Sequence, residues 1–121
     1  MEEVSHAPTV ICIKKANLKK LNYADLEDWL TEDDTLYIGR TMEFYVPGAA
    51  KSKWANPYTV KKYGLSKCLK LYRQHIIDTP ELLDSLSELT DKTLGCWCAT
   101  HAYKKSKPKC HGDILIELWG E

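Results

Sequence analysis

Period-two alternation opens the chain: in "TVICIKK" at 9–15, Val10, Cys12 and Lys14 fall on one face and Ile11 and Ile13 on the other. The β-branched content of this run predicts a first strand. The period then lengthens. "NYADLEDWL" at 22–30 spaces Leu26, Trp29 and Leu30 as a helix does, with Asn22 as its cap. After the acidic turn "TEDD", the run "TLYIG" at 35–39 predicts a second short strand.

Residues 40–64 break the pattern. Pro47, Gly48, Pro57 and Gly64 stand among several aromatics with no sustained period, which predicts a long ordered loop with a short strand at "YTV". "GLSKCLKLYRQHII" predicts a helix with Ser66 as cap and Leu69, Tyr72 and Ile76 on its buried face. "DTPELLDSLSEL" predicts another, with Thr79 as N-cap, Pro80 at the first helical position and Leu82, Leu83, Leu86 and Leu89 as its apolar stripe. "KTLGCWCA" reads as a third strand, and "GDILIELW" as a closing helix with Leu115, Leu118 and Trp119 turned inward.

Strands separated by helices imply a small α/β fold, a mainly parallel sheet of three to four strands flanked by helices. A chain of 121 residues holds one such domain, read here as a flexible N-terminus at 1–8 and a single α/β domain at 9–121. In such a fold ligands sit beyond the carboxyl ends of the strands, where the loops after "VICIKK", "LYIG" and "GCWC" meet.

Composition narrows the class. With 44% hydrophobic and 28% charged residues the chain is that of a soluble globular protein, and no stretch is long and apolar enough to span a bilayer. The start "MEEVSHAPTV" lacks the basic residues and apolar run of a secretory signal, and five cysteines, an odd number, fit reduced thiols. The expectation is an intracellular, cytoplasmic protein that is not secreted. Lys+Arg and Asp+Glu balance at 17 each, so any grip on nucleic acid must be local. Two clusters offer one: "KKSKPK", with Lys104, Lys105, Lys107 and Lys109, and a run of lysines between 61 and 70.

Two constellations carry candidate chemistry. Cys96 and Cys98, two apart on a strand, point to one face, and Cys110 and His111 return at a helix start. Three thiolates and an imidazole are the ligand types that tetrahedral zinc takes, although C-x-C and adjacent C-H are tighter than the usual knuckle spacing. The same residues admit thiol chemistry. Cys110, at a helix N-terminus and beside Lys109 and His111, or Cys98 at a strand end, is the nucleophile, and His111 or Asp113 the acid/base. The plain alternative keeps Cys96 and Cys98 as small core residues and Asp113 as a helix-start acid.

The second constellation is "YIGR" followed by "KSKWANPY". Gly39 and Arg40 end a strand at the expected crevice, where a guanidinium grips a phosphate or carboxylate. Lys53 adds charge, Trp54 and Tyr58 offer rings for stacking, and the Asn56 amide before Pro57 reads donor and acceptor edges. The competing reading is an aromatic-anchored turn, with Trp54 over the core, Asn56 capping the turn and Pro57 holding Asn56 extended.

"YIGR", "SKWANPY", "GCWC" and "CHGD", in this order and with "LYRQHI" between them, closely resemble the uncharacterised domain-of-unknown-function family 4326, found in viruses, phages, bacteria and some eukaryotes. The resemblance runs over about residues 9–118 and marks Gly39, Arg40, Lys53, Trp54, Asn56, Pro57, Gly95, Cys96, Trp97, Cys98, Cys110, His111, Gly112 and Asp113. It implies no activity. Tyr58 stands where the family commonly has Phe, and the stretch between "GCWC" and "CHGD" is longer than usual.

Two functions of different classes follow. One is a crevice built by Gly39, Arg40, the 53–58 segment and the 96–113 loop that binds a nucleotide-like or other anionic small molecule, with or without thiol chemistry. The other is a zinc-stabilised module, with Cys96, Cys98, Cys110 and His111 as ligands and the lysine loop touching protein or nucleic acid. Whether the protein is an enzyme, and its oligomeric state, stay open at this level.

Overall fold

A computed structural model of the chain describes residues 6–42, 44–97 and 110–121. Cys98, His101 and the four lysines of the 104–109 loop lie outside the described residues. Three parallel strands, β1 (Thr9–Cys12), β2 (Thr35–Tyr37) and β3 (Thr93–Cys96), form a sheet in the order β1-β3-β2. The last strand in sequence is therefore the central one. Its register pairs Cys12 with Cys96 on one side and Tyr37 with Gly95 on the other. The three carboxyl ends consequently sit together at one end of the sheet.

Alternation along the strands divides the interior into two layers, as a sheet covered on both faces requires. Val10, Cys12, Leu36, Ile38, Leu94 and Cys96 belong to one apolar cluster, and Ile11, Ile13, Tyr37 and Trp97 to the other. The first cluster is closed by α4 (Leu65–Ile77), α5 (Pro80–Asp84), a 3-10 turn at Ser85–Leu89 and α6 (His111–Trp119), through Leu69, Tyr72, Ile76, Leu82, Leu89 and Leu115. The second is closed by α1 (Lys15–Lys20) and α2 (Leu26–Trp29), through Leu18, Leu26 and Trp29. A short α3 (Val60–Tyr63) precedes α4.

Two glycines set how near the helices come. A Cβ on Gly95 would lie 2.7 Å from Ile13 Cγ2 and 2.8 Å from the Trp29 ring, so the bare central strand lets α2 lay its tryptophan on the sheet. A Cβ on Gly112 would lie 2.7 Å from Val10 Cγ2, so glycine lets the first turn of α6 press against β1.

Local structure departs from the sequence expectations at several points. Asp25, not Asn22, caps α2: its side chain accepts from the Asp28 amide at 2.9 Å. Asn22 instead adopts a positive φ of 72°, the left-handed conformation that asparagine tolerates. "YTV" is not a strand, because the Thr59 hydroxyl accepts from Lys62 N and starts the single turn of α3. Gly64, at φ 80°, occupies the cap position of α4 in place of Ser66. α1 has no counterpart among the expected elements. The helix begun by Thr79 and Pro80 tightens into the 3-10 turn after Asp84, which leaves Leu83 40% exposed while Leu82, Leu86 and Leu89 are buried.

Candidate functional site

The carboxyl end of β3 and the amino end of α6 meet directly. Cys96 ends the strand and Cys110 is the N-cap of α6, its sulfur accepting from Gly112 N at 3.4 Å. Their sulfurs lie 2.8 Å apart. The imidazole of His111, next in the chain, completes the group: Nδ1 is 3.8 Å from Cys96 Sγ and 4.0 Å from Cys110 Sγ. Cys96 and Cys110 are 2% and 1% exposed and His111 is buried, so the three ligand-type atoms converge in the interior.

The ring's orientation is fixed from behind. His111 Nε2 is 2.7 Å from the carbonyl oxygen of Ile38, just past β2. A carbonyl oxygen only accepts, so Nε2 carries the proton and Nδ1 of the neutral ring presents a lone pair toward the two sulfurs. A histidine that gives its distal N–H to a backbone carbonyl and turns the other nitrogen inward is the arrangement that metal-binding histidines use. Tyr72 supports the other side of the ring edge-on, with centroids 5.1 Å apart, and its hydroxyl donates to Trp54 O at 2.6 Å. Burial, followed by the charge of Cys110 and Cys96, pushes the Tyr72 phenol well above its ordinary pKa.

Cys96, Cys110 and His111 are close enough to hold a metal ion. Tetrahedral zinc separates two thiolate sulfurs by about 3.8 Å and a sulfur from an imidazole nitrogen by about 3.6 Å, given bonds of about 2.3 and 2.0 Å. The sulfur-to-nitrogen spans are near those values, and the sulfurs need to part by about 1 Å. Cys98, the fourth ligand that the sequence offers, lies outside the described residues. Asp113, the sequence's acid/base candidate, sits in the first turn of α6 and is fully buried.

Beside the centre lies the crevice. Arg40, after β2, donates from Nε to Asn56 O at 3.2 Å and from Nη2 to Tyr58 O at 2.8 Å, and so pins the 56–58 loop. Asn56 folds that loop on itself: its Oδ1 accepts from Tyr58 N at 2.9 Å, and its Nδ2 donates to Cys68 Sγ at 3.3 Å. Trp54 is 1% exposed and belongs to the core, the place the turn reading gives it. Lys53 pairs with Glu88 at 2.6 Å on the surface. A cleft of about 560 Å³ is lined by Arg40, Lys51, Lys53, Asn56, Pro57 and His75. A second, of about 270 Å³, shares Arg40 and Asn56 with it and extends past Gly39, Tyr58 and Trp97 to Cys96 and His111.

The structure thus brings Cys96, Cys110 and His111 together, and it sets Gly39, Arg40, Asn56 and Tyr58 around a pocket that reaches them. It adds participants to which the sequence reading gave no part in the site. Ile38 acts through a backbone carbonyl, Cys68 and Tyr72 come from the inner face of α4, and Lys51 and His75 line the wider cleft. The Trp97 indole donates to the Tyr37 hydroxyl at 2.8 Å, which in turn donates to Arg40 O, linking the end of β3 to the crevice.

The family described as Domain of unknown function (DUF4326) matches residues 21–121. An uncharacterised protein, R718, of Acanthamoeba polyphaga mimivirus is 34% identical over 92 residues, covering 74% of this chain and 70% of that protein. No solved structure matches. Among the described residues no helix is long and apolar enough to cross a membrane.

Proposed function

The chain belongs to the family described as Domain of unknown function (DUF4326), and from the geometry of its site we propose that it is a zinc-binding α/β domain whose ion joins β3 to α6 at the carboxyl end of the sheet. Cys96 and Cys110 supply thiolates and His111 supplies Nδ1, with Cys98 of the same sequence cluster as the fourth ligand. One observation carries the reading: Nε2 of His111 is tied to Ile38 O at 2.7 Å, which leaves the other ring nitrogen aimed at both sulfurs. Two sulfurs and an imidazole favour zinc over the oxygen-seeking cations.

Elemental analysis of protein purified without chelator tests it. One equivalent of zinc is expected in the wild type and less than about a tenth in Cys96→Ser and His111→Ala, with Cys12→Ala as the buried-cysteine control that keeps its metal. Metal-free wild-type protein with a Cys96–Cys110 disulfide would overturn the reading.

A second reading concerns the crevice, and the joined clefts at Arg40 and Asn56 favour it. Lys51, Lys53, Arg40 and His75 face one wider cleft, which suits a nucleotide-like or other anionic small molecule. Calorimetric titration with adenosine monophosphate and with inorganic phosphate is the measurement. Heat of binding that Lys51→Glu abolishes supports it, and no heat at millimolar ligand refutes it.

A further inference from the structure

The balanced total charge conceals a strong segregation. Residues 21–39 contain six acidic side chains and no lysine or arginine, whereas residues 44–77 contain seven lysines and arginines and no acid. Folding neutralises little of the second group. Lys53 pairs with Glu88, and Arg73 pairs with Glu117 and Glu121. Among the described residues Lys51, Lys61, Lys62, Lys67 and Lys70 form no ion pair, and all five are exposed.

Two of these lysines flank one aromatic ring. Gly64, at φ 80°, turns the chain between α3 and α4, so that Lys62 from one helix and Lys67 from the other approach the same ring: their Nζ atoms lie 5.3 and 5.7 Å from the Tyr63 centroid. Tyr58 meets Tyr63 edge-on at 5.7 Å. Lys67 and Lys70, three apart on α4, extend the charge along the helix. The apolar face of α4, with Leu69, Tyr72 and Ile76, is buried in the core, so this surface has charge and aromatic rings to offer rather than an amphipathic stripe for lipid.

We propose that the α3–α4 face binds a single-stranded polynucleotide, with phosphates on Lys61, Lys62, Lys67 and Lys70 and a base on the Tyr63 ring. A row of lysines attracts any polyanion, but an aromatic ring between cations favours strands whose bases are free to stack. The four lysines belong to a different stretch of sequence from those at 104–109, and binding here does not require the metal centre.

Fluorescence anisotropy of the full chain with labelled twenty-nucleotide oligo(dT) and oligo(U), a duplex of equal length, and phosphatidylserine vesicles tests the proposal. Single strands should bind more tightly than duplex. With the four lysines engaged, the log–log salt slope should be about −2.8, so that raising salt from 50 to 200 mM weakens binding about 50-fold. Lys62→Glu with Lys67→Glu should weaken binding at least about 30-fold, and Tyr63→Ala about tenfold with Tyr63→Phe unchanged. Lys19→Glu with Lys20→Glu, on α1, should leave it unchanged. Absence of binding at 50 mM salt, a folded charge-reversal variant that binds as the wild type does, or duplex or vesicles held as tightly as single strands would each overturn it.

Discussion

His111 Nε2 lies 2.7 Å from the carbonyl oxygen of Ile38, so a residue on α6 is held by the end of β2 while its ring faces the end of β3. Three segments far apart in sequence converge on one imidazole, and zinc there acts as a cross-link. Metal removal should therefore lower stability. At free zinc one hundred times its dissociation constant the linkage is worth about 2.7 kcal/mol, or roughly 10 °C in Tm for a chain of this size. Thermal melts with and without a chelator should differ by that amount in the wild type and coincide in His111→Ala. Acid should have the chelator's effect, because thiolates and imidazole must be deprotonated to bind. A melt indifferent to chelator leaves the cross-link without support.

Arg40 is the sequence's anion-binding candidate, yet two of its N–H groups already serve the carbonyls of Asn56 and Tyr58. Its first effect is on the loop. Arg40→Ala should cost about 1 kcal/mol, the net worth of such hydrogen bonds on an exposed side chain. By loosening the 56–58 loop it should also speed tryptic cleavage at the exposed Lys51 and Lys53 that lead into it. Arg40→Lys should not rescue, because one ammonium cannot reproduce the planar fork that meets both carbonyls. Limited proteolysis followed by mass spectrometry reads this, and unchanged cleavage in both variants would remove Arg40 from that role.

Strand alternation was legible in the sequence because a sheet covered on both faces needs apolar residues on each: Val10 and Cys12 went to one cluster, Ile11 and Ile13 to the other. The inner face of α4 was legible for a similar reason, thirteen residues giving the helical period room to show. Short elements were not. α1 has six residues and buries one, Leu18, so no period marks it, and the β-preference of "YTV" gave way to a one-turn helix that Thr59 caps. At the candidate site, Cys96, Cys110 and His111 stood out by residue type, and their convergence follows from a strand end meeting a helix start. Ile38 did not stand out, because a backbone carbonyl leaves no trace in the identity of its residue. Trp54 and Asn56 read equally well as ligand contacts or as a turn, since a ring and an amide suit both.

Gly95 and Gly112 mark where layers touch most closely. A methyl at either position meets side-chain carbon at 2.7 Å, and the obstructing atoms are a packed Ile13 and Trp29 in one case and Val10 in the other. Overpacking of this kind typically costs about 1–3 kcal/mol. Gly95→Ala should show it in urea unfolding with little change at the metal centre, because the crowding is on the opposite face of β3. Gly112→Ala should show both, since it displaces the turn that carries Cys110 and His111. Equal metal content in the two variants would argue against that distinction.

Tyr72 sets the alkaline limit. Its phenol is fully buried, donates to Trp54 O at 2.6 Å, and is held well above its ordinary pKa first by burial and then by the charge of Cys110 and Cys96. The unfolded chain ionises this group near pH 10 while the folded chain keeps it neutral, so its contribution is whole below about pH 10 and is lost as pH rises beyond. Each further unit costs about 1.4 kcal/mol until the folded group ionises too. Tyr72→Phe removes that slope and leaves the smaller part due to Tyr23 and Tyr37, whose phenols are also raised. At pH 8 the same variant should be less stable than the wild type by about 1–3 kcal/mol, because the Trp54 carbonyl loses its buried donor. Urea midpoints between pH 8 and 11 should thus start lower in the variant and approach the wild-type values as pH rises. Parallel pH curves would show that the buried phenol does not control the alkaline transition.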